Sequence, residues 1–149
     1  MTSDVQRIVD ELLDRYPESD IRKAIAKSAK RRGERVLTVV VNFGMHSLPE
    51  EILRGDVLFF SEGNVDLSDE GIHRTMMELS KRAVRFLRSK VWQKIYIVPS
   101  GHPALVVLAT LVTYRVTRVD PSIVYYLDGK YNDVDFDIRS ETVKKNTLL

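Results

Sequence analysis

Two spacings of apolar residues alternate along this chain. Val5, Ile8, Val9, Leu12 and Leu13 recur at helical intervals behind Ser3 and Gln6, a capping-box pair, and predict an amphipathic helix over residues 4–15. Tyr16–Ser19 breaks the pattern. Ser19 is placed to cap a second helix carrying Ile21, Ala24, Ile25 and Ala29 on one face, with Gly33 at its stop. The period then changes. Val36–Phe43 is a β-branched run without polar alternation, the mark of a strand covered on both faces by a parallel sheet's neighbours. Ser47 and Glu50, with Pro49 in the first turn, predict a short helix near 48–54, ahead of a second strand at Asp56–Phe60. A long helix is expected from Leu67 to Lys90, with Ile72, Met76, Leu79, Ala83, Phe86 and Leu87 inward. Lys94–Val98 is the third strand, and Ser100-Gly101-His102-Pro103 turns straight into a helix over Ala104–Arg118. Ser122–Leu127 and Asp133–Ile138 flank Asp128-Gly129 and predict a hairpin whose loop extends through Asn132. The polar end, residues 140–149, reads as a flexible tail.

This order predicts an α/β fold: a Rossmann-like, three-layer, mostly parallel sheet with a C-terminal β-hairpin and two N-terminal helices. The 149 residues suit a single domain, 1–149. Within it, residues 1–35 are a helical extension, 36–139 the core and 140–149 the tail. The helix over 104–118 is apolar almost all round, which argues burial on two sides. One side faces the sheet; the other suits a self-complementary contact, so a homodimer is expected. Tyr114 and Arg115 lie too far along this helix to reach a ligand at its start and read as packing or interface residues.

Composition narrows the function. The longest apolar run, Ala104–Ala109, is far below the roughly 18 residues that cross a bilayer, and the N-terminus lacks an apolar signal core, so a cytoplasmic protein is expected. The absence of cysteine excludes disulfides, thiolate nucleophiles and sulfur-ligated zinc. Two Gln and four Asn among many Lys, Arg and Glu lean toward a thermophilic source. The net charge of +2 is unevenly spread. Arg22–Arg35 holds seven basic residues against one acidic, and Lys81–Lys94 six against none, a footprint suited to a polyanion.

In open α/β sheets ligands sit beyond the carboxyl ends of the strands, where helix N-termini and free N–H groups converge. Three loops qualify, contributing Asn42, Gly44 and His46, then Ser61 and Asn64, then Ser100, Gly101 and His102, as candidate ligand-binding residues. Ser-Gly between a strand and a helix lets backbone approach an anion and favours phosphate. No GxGxxG, P-loop or G-x-S-x-G frame is present, so no dinucleotide cofactor or serine nucleophile is expected. His46 and His102 fall in these loops, whereas His73 is helical. The pair is the candidate acid–base chemistry, although His102 could equally serve to cap its helix. Without a close-spaced ligand motif, neither a metal nor any other cofactor is expected.

The strand-SGHPA-helix segment followed by the hairpin SIVYYLDGKYNDVDF, together with the strand-NFGMHS loop, resembles the CARF domains over roughly Val36 to Ile138. These are the CRISPR-associated Rossmann-fold sensors of antiviral defence. The resemblance implies cyclic oligoadenylate bound across a two-fold dimer axis by the first loop and the strand-to-helix element. Some members, the ring nucleases, also cleave it; 2′-hydroxyl attack on the adjacent phosphate needs positioning and charge stabilisation but no metal, so any cleavage here is expected to be slow and metal-independent. The leading expectation is therefore a homodimeric binder of a cyclic or linear oligonucleotide, drawn into a basic groove, with His46 or His102 assisting any cleavage. Two other classes stay open. One is a DNA- or RNA-binding regulator using the basic second helix, Lys27, Lys30 and Arg31 included, and the other is an interaction subunit without a ligand.

Overall fold

Strand β1, Val36–Phe43, is the axis of the molecule's larger part. The computed structural model describes residues 4–33, 35–44, 47–137 and 142–147, and of residues 4, 5, 26–33, 136, 137, 142, 143 and 147 the backbone only. The chain divides into two compact units, residues 1–34 and 35–149.

The first unit is a pair of helices, α1 (Asp4–Arg15) and α2 (Glu18–Gly33). The break falls at Pro17, whose carbonyl accepts from the N–H groups of Asp20 and Ile21. Helix α2 therefore starts one residue before Ser19, which lies inside it instead of capping it. Ser3, the expected cap of α1, is outside the described residues, as are the side chains of Lys27, Lys30 and Arg31.

The second unit is a mixed α/β structure built on six strands in the order β2-β1-β3-β4-β5-β6, where β2 is Asp56–Glu62, β3 Lys94–Val98, β4 Ser122–Leu127, β5 Lys130–Asp137 and β6 Thr142–Thr147. The first four pair in parallel, the last two pairings are antiparallel. Parallel strands need a crossover, and antiparallel ones only a turn. That is why β-branched runs separated by long segments fill one half, and closely spaced strands the other.

Both helices of this unit, α3 (Ile72–Leu87) and α4 (Pro103–Thr117), cover one face. There Leu37, Val39 and Val41 of β1 meet Ala83 and Leu87 of α3 and Leu105 and Ala109 of α4. Against the other face, Val40, Val98 and Val124 pack on Ile52, Leu48 and Leu53 of the β1–β2 connection. That connection holds a single 3-10 turn, Glu50–Ile52, with Pro49 at its cap position and no side-chain cap. The expected helix with a Ser47–Glu50 capping box is not formed, because Pro49 sits before the turn and not inside it. Nor is a third layer of helix found among the described residues of this unit.

Other boundaries differ for local reasons. Helix α3 begins at Ile72 and not near Leu67, because the Asp66 carboxylate takes the Ser68 N–H (3.0 Å) and hydroxyl (2.6 Å) in a turn of its own. Gly71 then passes so close to Asp66 that a Cβ would fall 1.9 Å from its carboxylate. The β4–β5 turn is tighter than expected. Asp128 and Gly129 both take positive φ (52° and 77°), the two-residue turn whose twist matches the flanking strands, so β5 starts at Lys130. Residues 142–147 of the expected tail pair with β5 as an edge strand.

Among the described residues no helix is long and apolar enough to cross a membrane.

Candidate functional site

Three parallel strands end together, and Asn42 ties their ends. Asn42 stands opposite Ser61 in the β1–β2 register, and β1 and β3 last pair at Val40 and Val98. Beyond that point a side chain continues the ladder. Ser100 Oγ donates to the Asn42 carbonyl (2.6 Å) and accepts from its N–H (2.9 Å). On the other side Asn42 Nδ2 donates to Ser61 Oγ (3.1 Å) and to the Gly63 carbonyl (3.0 Å), while Ser61 Oγ donates to the Val41 carbonyl (2.6 Å). The amide orientation is forced, since a carbonyl can only accept. Asn42 Oδ1 is left buried with no hydrogen-bond partner.

Each loop turns on a glycine of positive φ: Gly44 at 102°, Gly63 at 60° and Gly101 at 87°. The Gly63 N–H donates to the Phe43 carbonyl (2.8 Å), closing the first two loops on one another. The third is drawn against the first so closely that a Cβ on Gly101 would stand 2.6 Å from that of Asn42.

Helix α4 starts under His102. Its Nδ1 accepts from the Ala104 N–H (3.1 Å), so the ring is the N-cap. An accepting Nδ1 carries no proton, which puts the neutral ring's proton on Nε2 and makes His102 a donor. The N–H groups of Leu105 and Val106 close on the His102 carbonyl. At this terminus the N–H groups of Gly101 and His102 have no acceptor among the described residues, so an anion would meet the loop and not the helix interior.

Burial separates the candidates. Asn42 and Ser61 are buried scaffold, whereas Gly44, Asn64, Gly101 and His102 are exposed and Ser100 is partly so. The loops thus bring seven of the eight candidate ligand residues to one end of the sheet. The eighth, His46, lies outside the described residues, so the geometry of the histidine pair does not enter.

One feature went unread in the sequence. A cleft of about 400 Å³ opens beside Ser100, lined by Leu48, Val98, Pro99, Val124, Tyr126 and Tyr131. Tyr126 and Tyr131 face each other across the hairpin, edge to face with centroids 5.0 Å apart. The two-residue turn at Asp128-Gly129 makes them cross-strand partners, whereas a loop extending through Asn132 would leave Tyr131 outside the strand.

The second basic cluster is not part of this end. Helix α3 runs opposite to the strands, so its last turn returns to their starts, where Lys90 Nζ bonds the carboxylate of Asp56, the first residue of β2 (2.6 Å). Earlier in the helix Arg82 donates to the Phe59 and Phe60 carbonyls (3.1 and 2.6 Å), so the cluster lies along the side of β2 and its later cations do not form the expected basic groove at the loops. Across the sheet, a polar network joins four strands, β3 to β6, near that same far end. Lys94 Nζ meets the Asp135 carboxylate at 2.5 Å, the Ser122 hydroxyl donates to the same carboxylate, and Asn146 bridges Asp133 and Asp135. The Lys94 contact, then the Ser122 hydroxyl, hold the Asp135 carboxyl below its ordinary 3.8 against the opposing effect of burial. Arg54 completes the network, bonding Asp133 (2.8 Å) and lying 3.4 Å over the Tyr96 ring.

Compared with protein families, characterised proteins and solved structures, the chain matches none.

Proposed function

We propose that residues 35–149 form a Rossmann-like module of CARF type that binds, as a homodimer, a cyclic oligonucleotide such as cyclic oligoadenylate, in CRISPR-linked or related defence. The observation that supports this reading is the cleft beside Ser100 at the carboxyl end of β3. The connection leaving β1 passes to one face of the sheet and that leaving β3 to the other, the switch point beside which open α/β sheets bind their ligands. There the N–H groups of Gly101 and His102, without an acceptor among the described residues, suit phosphate. The Tyr126–Tyr131 pair beside Ser100 offers the flat apolar surface on which a base stacks.

Any chemistry at this site is slow and needs no metal. Attack of a ribose 2′-hydroxyl on the neighbouring phosphate requires in-line placement and charge stabilisation, which N–H donors supply. In its capping tautomer His102 contributes a hydrogen bond from Nε2, not a base. A base would have to come from His46, and the histidine contributes about 10²-fold.

The test is isothermal titration with cyclic tetra- and hexa-adenylate, followed by a turnover assay with and without EDTA. Binding to one ring, with any cleavage unaffected by EDTA, is the expected result. No heat with either ring removes the specific reading. Rings bound yet intact after hours make the protein a sensor.

A further inference from the structure

The two-helix unit exposes more apolar side chain than a pair of helices can leave to water. Ile8, Val9, Leu12 and Leu13 of α1, Tyr16 just after it and Ile25 of α2 are each between 40% and 63% exposed. All but Ile8, together with Ile21, Ala24 and the one carboxylate of Asp20, line a mainly apolar hollow of about 490 Å³ between the helices. Helices of 12 and 16 residues are marginal alone in water and owe their stability to burying such a face. The hollow requires an occupant.

The charges on the two helices identify it. Helix α1 carries Asp4, Asp10, Glu11 and Asp14 against two arginines, so it is net acidic. Helix α2 carries six Lys and Arg against Glu18 and Asp20, so it is net basic. A polyanion or an anionic bilayer laid over the hollow would meet the carboxylates of α1. A second copy with its α2 set against the first copy's α1 gains attraction there, and two-fold symmetry repeats the gain. We infer that this hairpin is the dimerisation element of the protein and that it closes on the hairpin of a second copy as a four-helix bundle. The inference holds whether or not the loops of the α/β unit bind an oligonucleotide.

The experiment is sedimentation equilibrium of the full chain of 17.1 kDa. Wild type sediments at twice the monomer mass. Leu12→Glu with Ile25→Glu gives a monomer whose near-ultraviolet circular dichroism, reporting Trp92 in the core, is unchanged. Val107→Glu with Leu111→Glu, on the exposed stripe of α4, stays dimeric. A second variant leaves the apolar face intact: Asp10→Lys with Glu11→Lys weakens the dimer at least tenfold at 50 mM salt, and the difference narrows at 500 mM. The chain has no cysteine, so Leu13→Cys alone gives an interpretable cross-link, expected under mild oxidation in wild-type background and lost in the Glu variant. A monomeric wild type, a dimer that survives both hairpin variants, or a dimer lost only through α4 overturns the inference.

Discussion

A methyl group added at Gly101 meets the Cβ of Asn42 at 2.6 Å, whereas one added at Gly63 meets nothing within 4 Å. Both residues hold positive φ. Gly63→Ala therefore carries only the left-handed backbone cost, about 1 kcal/mol. Gly101→Ala adds a contact that neither backbone can relieve without moving the β1 and β3 ends apart, and about 3 kcal/mol is expected. Thermal unfolding of the two variants should separate them by several degrees. Equal losses would mean that the loops are not held together as described. His102 allows a similar separation. His102→Ala removes the cap and lowers stability by about 1 kcal/mol, and His102→Asn, which caps well, restores it. If the Nε2–H contacts a phosphate, both variants weaken cyclic oligonucleotide binding by roughly tenfold. Titration of the Asn variant is decisive, because unchanged affinity there leaves His102 a cap and nothing more. At this scale the sequence is informative where a residue has one use. Ser-Gly after an apolar strand announces a close approach, but nothing local tells that Ser100 will bond both backbone groups of Asn42, 58 residues away.

Strand β6 is the element that periodicity could not find. Thr142–Thr147 carries a single apolar residue in its sequence, and its Asn146 side chain finds its partners in Asp133 and Asp135 of β5. Patterning detects what an element buries in a core; this strand is held by hydrogen bonds to a neighbour. The same logic explains the miss at Asp133, buried because Arg54 and Asn146 converge on it from two other segments. Ending the chain at Arg139 should lower the midpoint of thermal unfolding, where a frayed tail would leave it unchanged. The acid dependence follows from Asp135. Its carboxyl is held below the ordinary value by Lys94 first and the Ser122 hydroxyl second, so it binds fewer protons folded than unfolded. The stability it contributes is present above about pH 4 and is lost as pH falls through the lower folded value. Asp135→Asn should therefore unfold at a lower temperature than wild type at neutral pH, and the two curves should converge as pH falls through the carboxyl's lowered folded value. Parallel curves across that range would show that the network contributes nothing through its charge.

For the whole molecule, the alternation of strand and helix was legible because a parallel sheet needs long crossovers, and the gathering of the three loops at one end of the strands followed from that alternation. Charge was the misleading guide. A run of six cations between Lys81 and Lys94 looks like a ligand's approach, yet Arg82 is bonded to the Phe59 and Phe60 carbonyls and the antiparallel course of α3 carries the later cations toward the opposite end of the strands, where Lys90 meets Asp56. Strand β1 spans eight residues, roughly 25 Å at the usual rise, so Arg88 and Lys90 stand on the order of 20 Å from the loops. The Debye length at physiological ionic strength is about 8 Å, and exposed charges beyond it are largely screened. Arg88→Glu with Lys90→Glu should then change the affinity for a cyclic oligonucleotide by less than about twofold at 150 mM salt, although it shifts the net charge from +2 to negative. The difference should grow as salt is lowered toward 10 mM, where the screening length reaches about 30 Å and the far cations are felt again. A tenfold loss at 150 mM would place the ligand on the α3 face and not at the loops. Titrating the double variant at both salt concentrations distinguishes the two locations without any assumption about which residues touch the ring.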